Sequence, residues 1–221
     1  MRTSLTIFAA LALALMCGIA IPQDNISIND LKIRADAGDK TATRQLAEAY
    51  YVGKGVEQDF KLAAHWYEKL ARLGDVRAQT SLGLMYARGY GVEKNMPLAL
   101  KWLNYAAIQR DPGAQYSLST LYFMGDGIPQ NFTESARLRK EAATRGHVQA
   151  QADLGRMYFE GKGVEKDLRQ AYYWLAIAAQ QGDDTAQDEM KKIAAGMSAT
   201  QIIEAENQAR EWMNKAKKVW K

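Results

Sequence analysis

Between residues 39 and 183 the apolar positions follow two alternating helical patterns separated by glycine-containing turns. In the first, helix A, Ala42, Leu46, Ala49, Tyr50 and Gly53 fall on one side of a wheel drawn at about 100° per residue. In the second, helix B, Ala63 and Trp66 stand three apart, as do Ala99 and Trp102, and Ala171 and Trp174. Both patterns recur with a strict period of 36 residues: Leu46, Leu82, Leu118 and Leu154; Tyr50, Tyr86, Tyr122 and Tyr158; Gly53, Gly89, Gly125 and Gly161; Gly55, Gly91, Gly127 and Gly163; then Val56, Val92, Ile128 and Val164. A fixed period of this size marks a solenoid built from one supersecondary unit.

The helix boundaries are written in the same register. Asp39, Asp75, Asp111, His147 and Asp183 precede successive A helices, where a side-chain acceptor satisfies the orphan backbone N–H groups of the first turn. Pro112 follows Asp111 at the first helical position. The first glycine of each turn can take the left-handed conformation that ends helix A. Asp59, Asn95, Asn131 and Asp167 then cap helix B, with Pro97 in its first turn and Asn131 and Glu134 spaced as a capping box. Gly74, Gly146 and Gly182 close it. The unit is an αα-hairpin. Beyond the array, Ser198 and Gln201 form another capping-box pair, and Ile202, Ala205, Ala209 and Trp212 make one apolar stripe. That is the terminal helix a solenoid needs to cover its last hydrophobic face.

The constellation Leu-x-x-x-Tyr-x-x-Gly-x-Gly-Val, followed by an aromatic, alanine-rich second helix and Gly-Asp, resembles the Sel1-like repeat, a relative of the tetratricopeptide repeats. The resemblance covers roughly residues 31 to 190. It implies an all-α fold, a right-handed α-solenoid of about four and a half αα-hairpins with a C-terminal capping helix, and a role in protein–protein interaction. The expected organisation is a signal peptide at 1–20, a lead-in at 21–30, the array at 31–197, and a capping helix with basic tail at 198–221. Repeat three departs from its siblings: Ser135 replaces the alanine, Leu138 the tryptophan, Arg110 the preceding glycine, Pro129 enters the turn, and residues 137–140 form a charged run. Such a unit is either drift tolerated by its neighbours or a specialised contact at the centre of the array.

Composition changes the picture only at the ends. A hydrophobic share of 48% and a charged share of 24% exclude wholesale disorder. Arg2, the apolar run from Leu5 to Met16 and the small residues Gly18 and Ala20 read as an export signal cleaved after Ala20. The competing readings are an uncleaved anchor and lipid attachment at Cys17, for which Met16 and Ala14 are poor neighbours. Cys17 is the only cysteine, so the cleaved chain has no disulfide and no thiol nucleophile. The formal charge of +4 includes Lys215, Lys217, Lys218 and Lys221; without them and Arg2 the body is essentially neutral, with no basic face for nucleic acid. Localisation is expected to be periplasmic or secreted, with no stable membrane insertion after cleavage.

Four copies of one unit also act as an internal control for chemistry. His65 shares its register with Lys101, Arg137 and Tyr173, and His147 occupies a capping register, so neither marks a metal or nucleophile site. The Gly-x-Gly turns follow helices rather than strands and are not phosphate loops. Asn131-Phe132-Thr133 matches a glycosylation acceptor in letters, but Asn131 already has a capping role. No catalytic residue, cofactor or metal is expected. What varies freely is the stripe of helix A opposite its packing face: Arg44, Glu48 and Tyr51; Thr80, Leu84 and Ala87; Tyr116, Thr120 and Phe123; Ala152, Arg156 and Phe159. The family resemblance implies that this stripe lines the concave surface. Its aromatic and arginine content suits an interface that receives a segment of a protein partner, with a scaffold, regulator or assembly factor as the leading role. A cell-envelope hydrolase or ligand-binding protein, and a secreted factor acting on host cells, are the alternatives. The competing view of Tyr51, Phe123 and Phe159 is that they pack against the following turn.

Overall fold

The computed structural model describes residues 27–219. The expected signal peptide, most of the lead-in and the last two residues of the tail lie outside the described residues. Eleven helices occur within that range, joined by short turns, with no strand among the described residues. They are α1 (Ile28–Asp36), α2 (Lys40–Val52), α3 (Phe60–Arg72), α4 (Val76–Arg88), α5 (Met96–Ile108), α6 (Pro112–Met124), α7 (Phe132–Thr144), α8 (Val148–Glu160), α9 (Leu168–Gln180), α10 (Asp184–Ala194) and α11 (Ala199–Val219). Repeats one to four are the hairpins α2–α3, α4–α5, α6–α7 and α8–α9.

Each boundary has its expected cause. The Asp39, Asp75, Asp111 and Asp183 carboxylates accept first-turn backbone N–H groups of the A helices, and His147 Nδ1 accepts from Ala150 N at 3.2 Å. Gly53, Gly89, Gly125 and Gly161 are left-handed and end those helices. The N–H of each helix-B cap is donated to the carbonyl of the repeated tyrosine, Asp59 to Tyr50, Asn95 to Tyr86, Asn131 to Tyr122 and Asp167 to Tyr158. One expected detail differs. Ser198 and Gln201 form a full reciprocal box, but Asn131 does not: its side chain accepts from Glu134 N while the Glu134 carboxylate turns to Arg137. An arginine one turn on competes for the carboxylate with a charge-assisted bond.

Each hairpin packs internally and against the first helix of the next, and α11 lies chiefly on α9. Leu46, Leu82, Leu118 and Leu154 are fully buried in the interior. The second turn glycine is where neighbouring units touch: a Cβ at Gly91 or Gly163 would stand 2.0 or 2.1 Å from the Phe60 or Phe132 carbonyl oxygen of the preceding repeat. Only glycine fits there. The aromatic register is less uniformly sealed than its regularity suggests. Tyr50, Trp66 and Trp174 are buried, whereas Tyr86, Tyr122, Tyr158 and Trp102 are half-buried. Amphipathic rings of this kind pack one face and leave the polar edge near water. The hydrophobic interior is broad at both ends and thin in the middle, where Leu103, Ala106, Ala114, Leu118 and Leu138 form a small cluster.

Candidate partner-binding face

The variable stripe of helix A divides into side chains that bind the next repeat and side chains that remain accessible. Arg44 forms an ion pair with Asp75, the cap of the following A helix. Thr80 donates to Asp111 Oδ1 at 2.9 Å, and the Tyr116 ring stacks on His147 at 4.5 Å between centroids. In every case the partner lies 31 residues ahead, at the N-cap of the next unit. Ala152, at the same register in repeat four, is buried, and Arg156 one turn later takes over by donating to Thr185 Oγ1 at 3.1 Å and Glu189 at 2.9 Å. Arg44, Thr80, Tyr116 and Arg156 are therefore not free side chains, as the expected open row would have them. They tie adjacent repeats together.

The remaining members are more open. Glu48 is exposed, Leu84 and Thr120 are half-buried, and Ala87 is buried. Tyr51 meets Phe60 edge-on at 5.4 Å and Tyr67 at 6.3 Å; Phe123 meets Phe132 at 5.2 Å. For these two rings the packing view holds, since each lies against the start of its own helix B. Phe159 differs. It is 39% exposed, with Lys166 Nζ over its ring at 5.4 Å. Phe123 keeps an accessible edge beneath Lys162 Nζ at 4.8 Å. Aromatic faces topped by lysine give repeats three and four an amphipathic, cationic rim.

Beneath that rim sits Arg139, a member of the charged run at 137–140. Arg139 is buried, its guanidinium 4.4 Å from the Phe123 ring and 3.6 Å from Asp153 Oδ2. Asp153 also accepts from Tyr116 Oη at 3.0 Å and Arg156 Nη1 at 2.7 Å. Burial lowers the Arg139 pKa and the Asp153 charge opposes that shift. Burial and the same carboxylate push Tyr116 up to about 12, so its hydroxyl stays a donor at neutral pH. The signal was available in the register: Arg139 aligns with Tyr67, Leu103 and Leu175, all buried core residues.

Both histidines have local partners. His147 uses Nδ1 as a cap, and His65 is exposed with its ring edge-on to Trp66 at 5.1 Å. Among the described residues no three His, Cys, Asp or Glu side chains could together hold a metal ion, and no helix is long and apolar enough to cross a membrane.

Stacked αα-hairpins capped by a final helix define the molecule as an α-helical repeat scaffold. The Sel1 repeat model matches residues 41–75, 76–111, 112–147, 148–183 and 202–218, which is most of the chain, and the chain belongs to the Sel1 repeat family. The last match falls on α11, so the terminal helix itself carries repeat-like sequence. A Sel1 repeat protein from Oxalobacter formigenes is similar at 34% identity with a TM-score of 0.66, over 75% of this chain and 48% of its own. A protective antigen of uropathogenic Escherichia coli strains with an SLR fold is 27% identical with a TM-score of 0.65, over 88% of this chain and 49% of its own. The chain thus spans about half the length of these two structures. An immunity protein from Pseudomonas aeruginosa shares the fold at 20% identity and a TM-score of 0.51, over 90% of this chain and 78% of its own. A search of curated proteins gives no match.

Proposed function

We propose that this chain is a non-enzymatic interaction scaffold that binds a segment of another protein along the helix-A face of repeats three and four. The observation that carries this reading is the accessible aromatic edge formed by Phe123 and Phe159, each beneath a lysine, on a face whose packing side repeats while this side changes from unit to unit. Aromatic anchors fixed on rigid helices lose little entropy on binding and dominate interface energetics. The occupant is an extended or short helical segment with apolar side chains and acidic flanks, matching the lysine rim. Export to the periplasm or beyond is part of the proposal; it rests on the N-terminal pattern, and similarity to a protein described as a protective antigen is in keeping with it.

The test places a photo-crosslinking residue at Phe159 in native cells, with a second at His65, which is exposed on helix B of repeat one. A discrete adduct at residue 159 that is absent at residue 65 and lost on Phe123→Ala supports the reading. No adduct at residue 159, or the same adducts at both positions, overturns it.

A further inference from the structure

A cleft lies on the helix-B side of the molecule, where repeat three departs from its siblings. In repeats two and four a buried glutamine of helix A links neighbouring units. Gln79 Nε2 donates to Ala71 O at 3.2 Å and its Oε1 accepts from Gln109 at 2.8 Å; Gln151 Nε2 donates to Ala143 O at 3.0 Å and its Oε1 accepts from Gln181 at 2.6 Å. The equivalent in repeat three is Gln115, which is 1% exposed. Its Nε2 is drawn to Glu141 Oε2 at 2.9 Å, and its Oε1 has no partner among the described residues, because Arg145 stands where the donor glutamine would be. A buried acceptor left unmatched is costly unless something arrives to satisfy it.

The Gln115 side chain lines a cleft of about 490 Å³ between α5 and α7 with α6 as its floor. Trp102 packs against the cluster that spans repeat one and helix A of repeat two, and Trp174 belongs to the cluster that runs from α7 to α11. Leu138 holds this register in repeat three and leaves the space between the two B helices open. Leu118, Tyr122 and Leu138 line the apolar part of the cleft, and most of its accessible wall is polar. At its mouth are three arginines against two glutamates. Arg137 holds Glu134 at 2.6 Å and also pairs with Glu141. Arg145 donates only to the Glu141 backbone oxygen, at 2.9 Å, and Arg110 makes no side-chain hydrogen bond among the described residues. Arg110 is also the one non-glycine residue among them with a positive φ, at 67°, in a position where the other repeats have glycine. Three departures from the repeat thus converge on one cavity.

We propose that this cleft binds the C-terminal residue of a peptide chain bearing a large aromatic side chain. The side chain fills the volume occupied by tryptophan in the sibling repeats. The terminal carboxylate meets the Arg110 and Arg145 guanidiniums, whose planar donor forks suit it. The rest of the peptide leaves into solvent. A slot bordered by Leu118, Tyr122 and Leu138, with two guanidiniums that have no carboxylate partner, selects an aromatic residue with a free carboxylate.

The experiment titrates the full chain, by calorimetry, with acetyl-Gly-Gly-Trp as the free acid, the same peptide amidated, acetyl-Gly-Gly-Ala as the free acid, and acetyl-Trp alone. The free acid should bind at least about tenfold more tightly than the amide or the alanine peptide. Comparable binding of acetyl-Trp would assign the contacts to the terminal residue alone, and weaker binding would show that the preceding peptide units add to them; both support the site. Leu138→Trp, which fills the slot, and Arg145→Gln, which restores the sibling donor, should each weaken the acid about tenfold or more while retaining helical circular dichroism. Phe123→Ala should leave this binding unchanged, which separates the site from the helix-A face. No saturable binding of the acid, equal affinity for acid and amide, or undiminished binding by folded Leu138→Trp would overturn the proposal.

Discussion

In repeat four, Trp174 and Leu175 are buried side by side, and Leu175 closes over Gly155 of the facing helix, where a Cβ would stand 2.7 Å from Leu175 Cγ. In repeat three the same registers hold Leu138, Arg139 and Ser119, and the facing contact becomes a hydrogen bond from Ser135 Oγ to Ser119 O at 2.7 Å. The backbone plan is nevertheless the same, because Asp111, Gly125, Gly127, Asn131 and Gly146 keep the caps and turns in register. The comparison separates two kinds of information. Caps and left-handed glycines set where helices begin and end, and they tolerate different interiors between them. Interior identity sets how firmly neighbouring units adhere and what surface they leave. Nearest-neighbour stability in a solenoid allows one unit to be weak if those on either side are strong.

Truncation of the paired registers should give the largest contrast. Trp174→Ala removes a buried indole from a broad core and should cost about 3–5 kcal/mol, whereas Leu138→Ala, at the edge of an existing cleft, should cost about 2 kcal/mol. Urea unfolding of the two variants, read by circular dichroism, checks the order. Equal losses, or a greater loss at Leu138, would mean that the two interiors are energetically alike despite their sequences.

The buried arginine gives a second, somewhat smaller contrast. Removing Asp153 leaves Arg139 without a carboxylate in a buried site and should destabilise the fold by about 2–3 kcal/mol, toward the low side for a broken buried pair because 3.6 Å is a loose contact. Placing the sibling leucine at residue 139 removes the need for that carboxylate. Arg139→Leu in the Asp153→Ala background should therefore recover most of the loss, as a buried charge pair often contributes less than a well-packed apolar replacement. If the double variant is no more stable than Asp153→Ala, the carboxylate acts chiefly through Tyr116 and Arg156 and not through Arg139.

These contrasts also separate what the sequence makes legible from what only the stacked fold reveals. The helices, caps and turn glycines were legible because each depends on local chemistry repeated every 36 residues. The openness of the variable stripe was not. Periodicity on one helix says which side faces away from its hairpin partner, but not that Arg44 and Thr80 reach caps 31 residues ahead. Those contacts depend on how units stack. Arg139 was a nearer miss: its alignment with Tyr67, Leu103 and Leu175 pointed inward, but its neighbours Arg137 and Lys140 made the whole run look solvated. The cleft beside Leu138 lay between these cases. The missing tryptophan was visible, whereas the convergence of Gln115, Arg110 and Arg145 on the same space required the fold.

The smallest expected effect is a pH dependence at the junction of repeats three and four. His147 does the capping that aspartate does at the other A helices, and it can accept from Ala150 N only while Nδ1 is unprotonated. Burial lowers its folded pKa, and the Asp111 and Asp153 charges only partly oppose that. The unfolded chain therefore takes up the proton first as pH falls. The cap contributes fully above the unfolded value of about 6.5 and is lost as pH drops below it, through the lower folded value. His147→Asp replaces the cap with one that stays ionised throughout this interval. Between about pH 7 and pH 5 the parent should lose about 1 kcal/mol relative to the variant, the usual contribution of one N-cap. His65 is common to both chains and cancels in the difference. Parallel stability profiles in denaturant titrations at the two pH values would show that stacking on Tyr116 holds the helix start without the hydrogen bond.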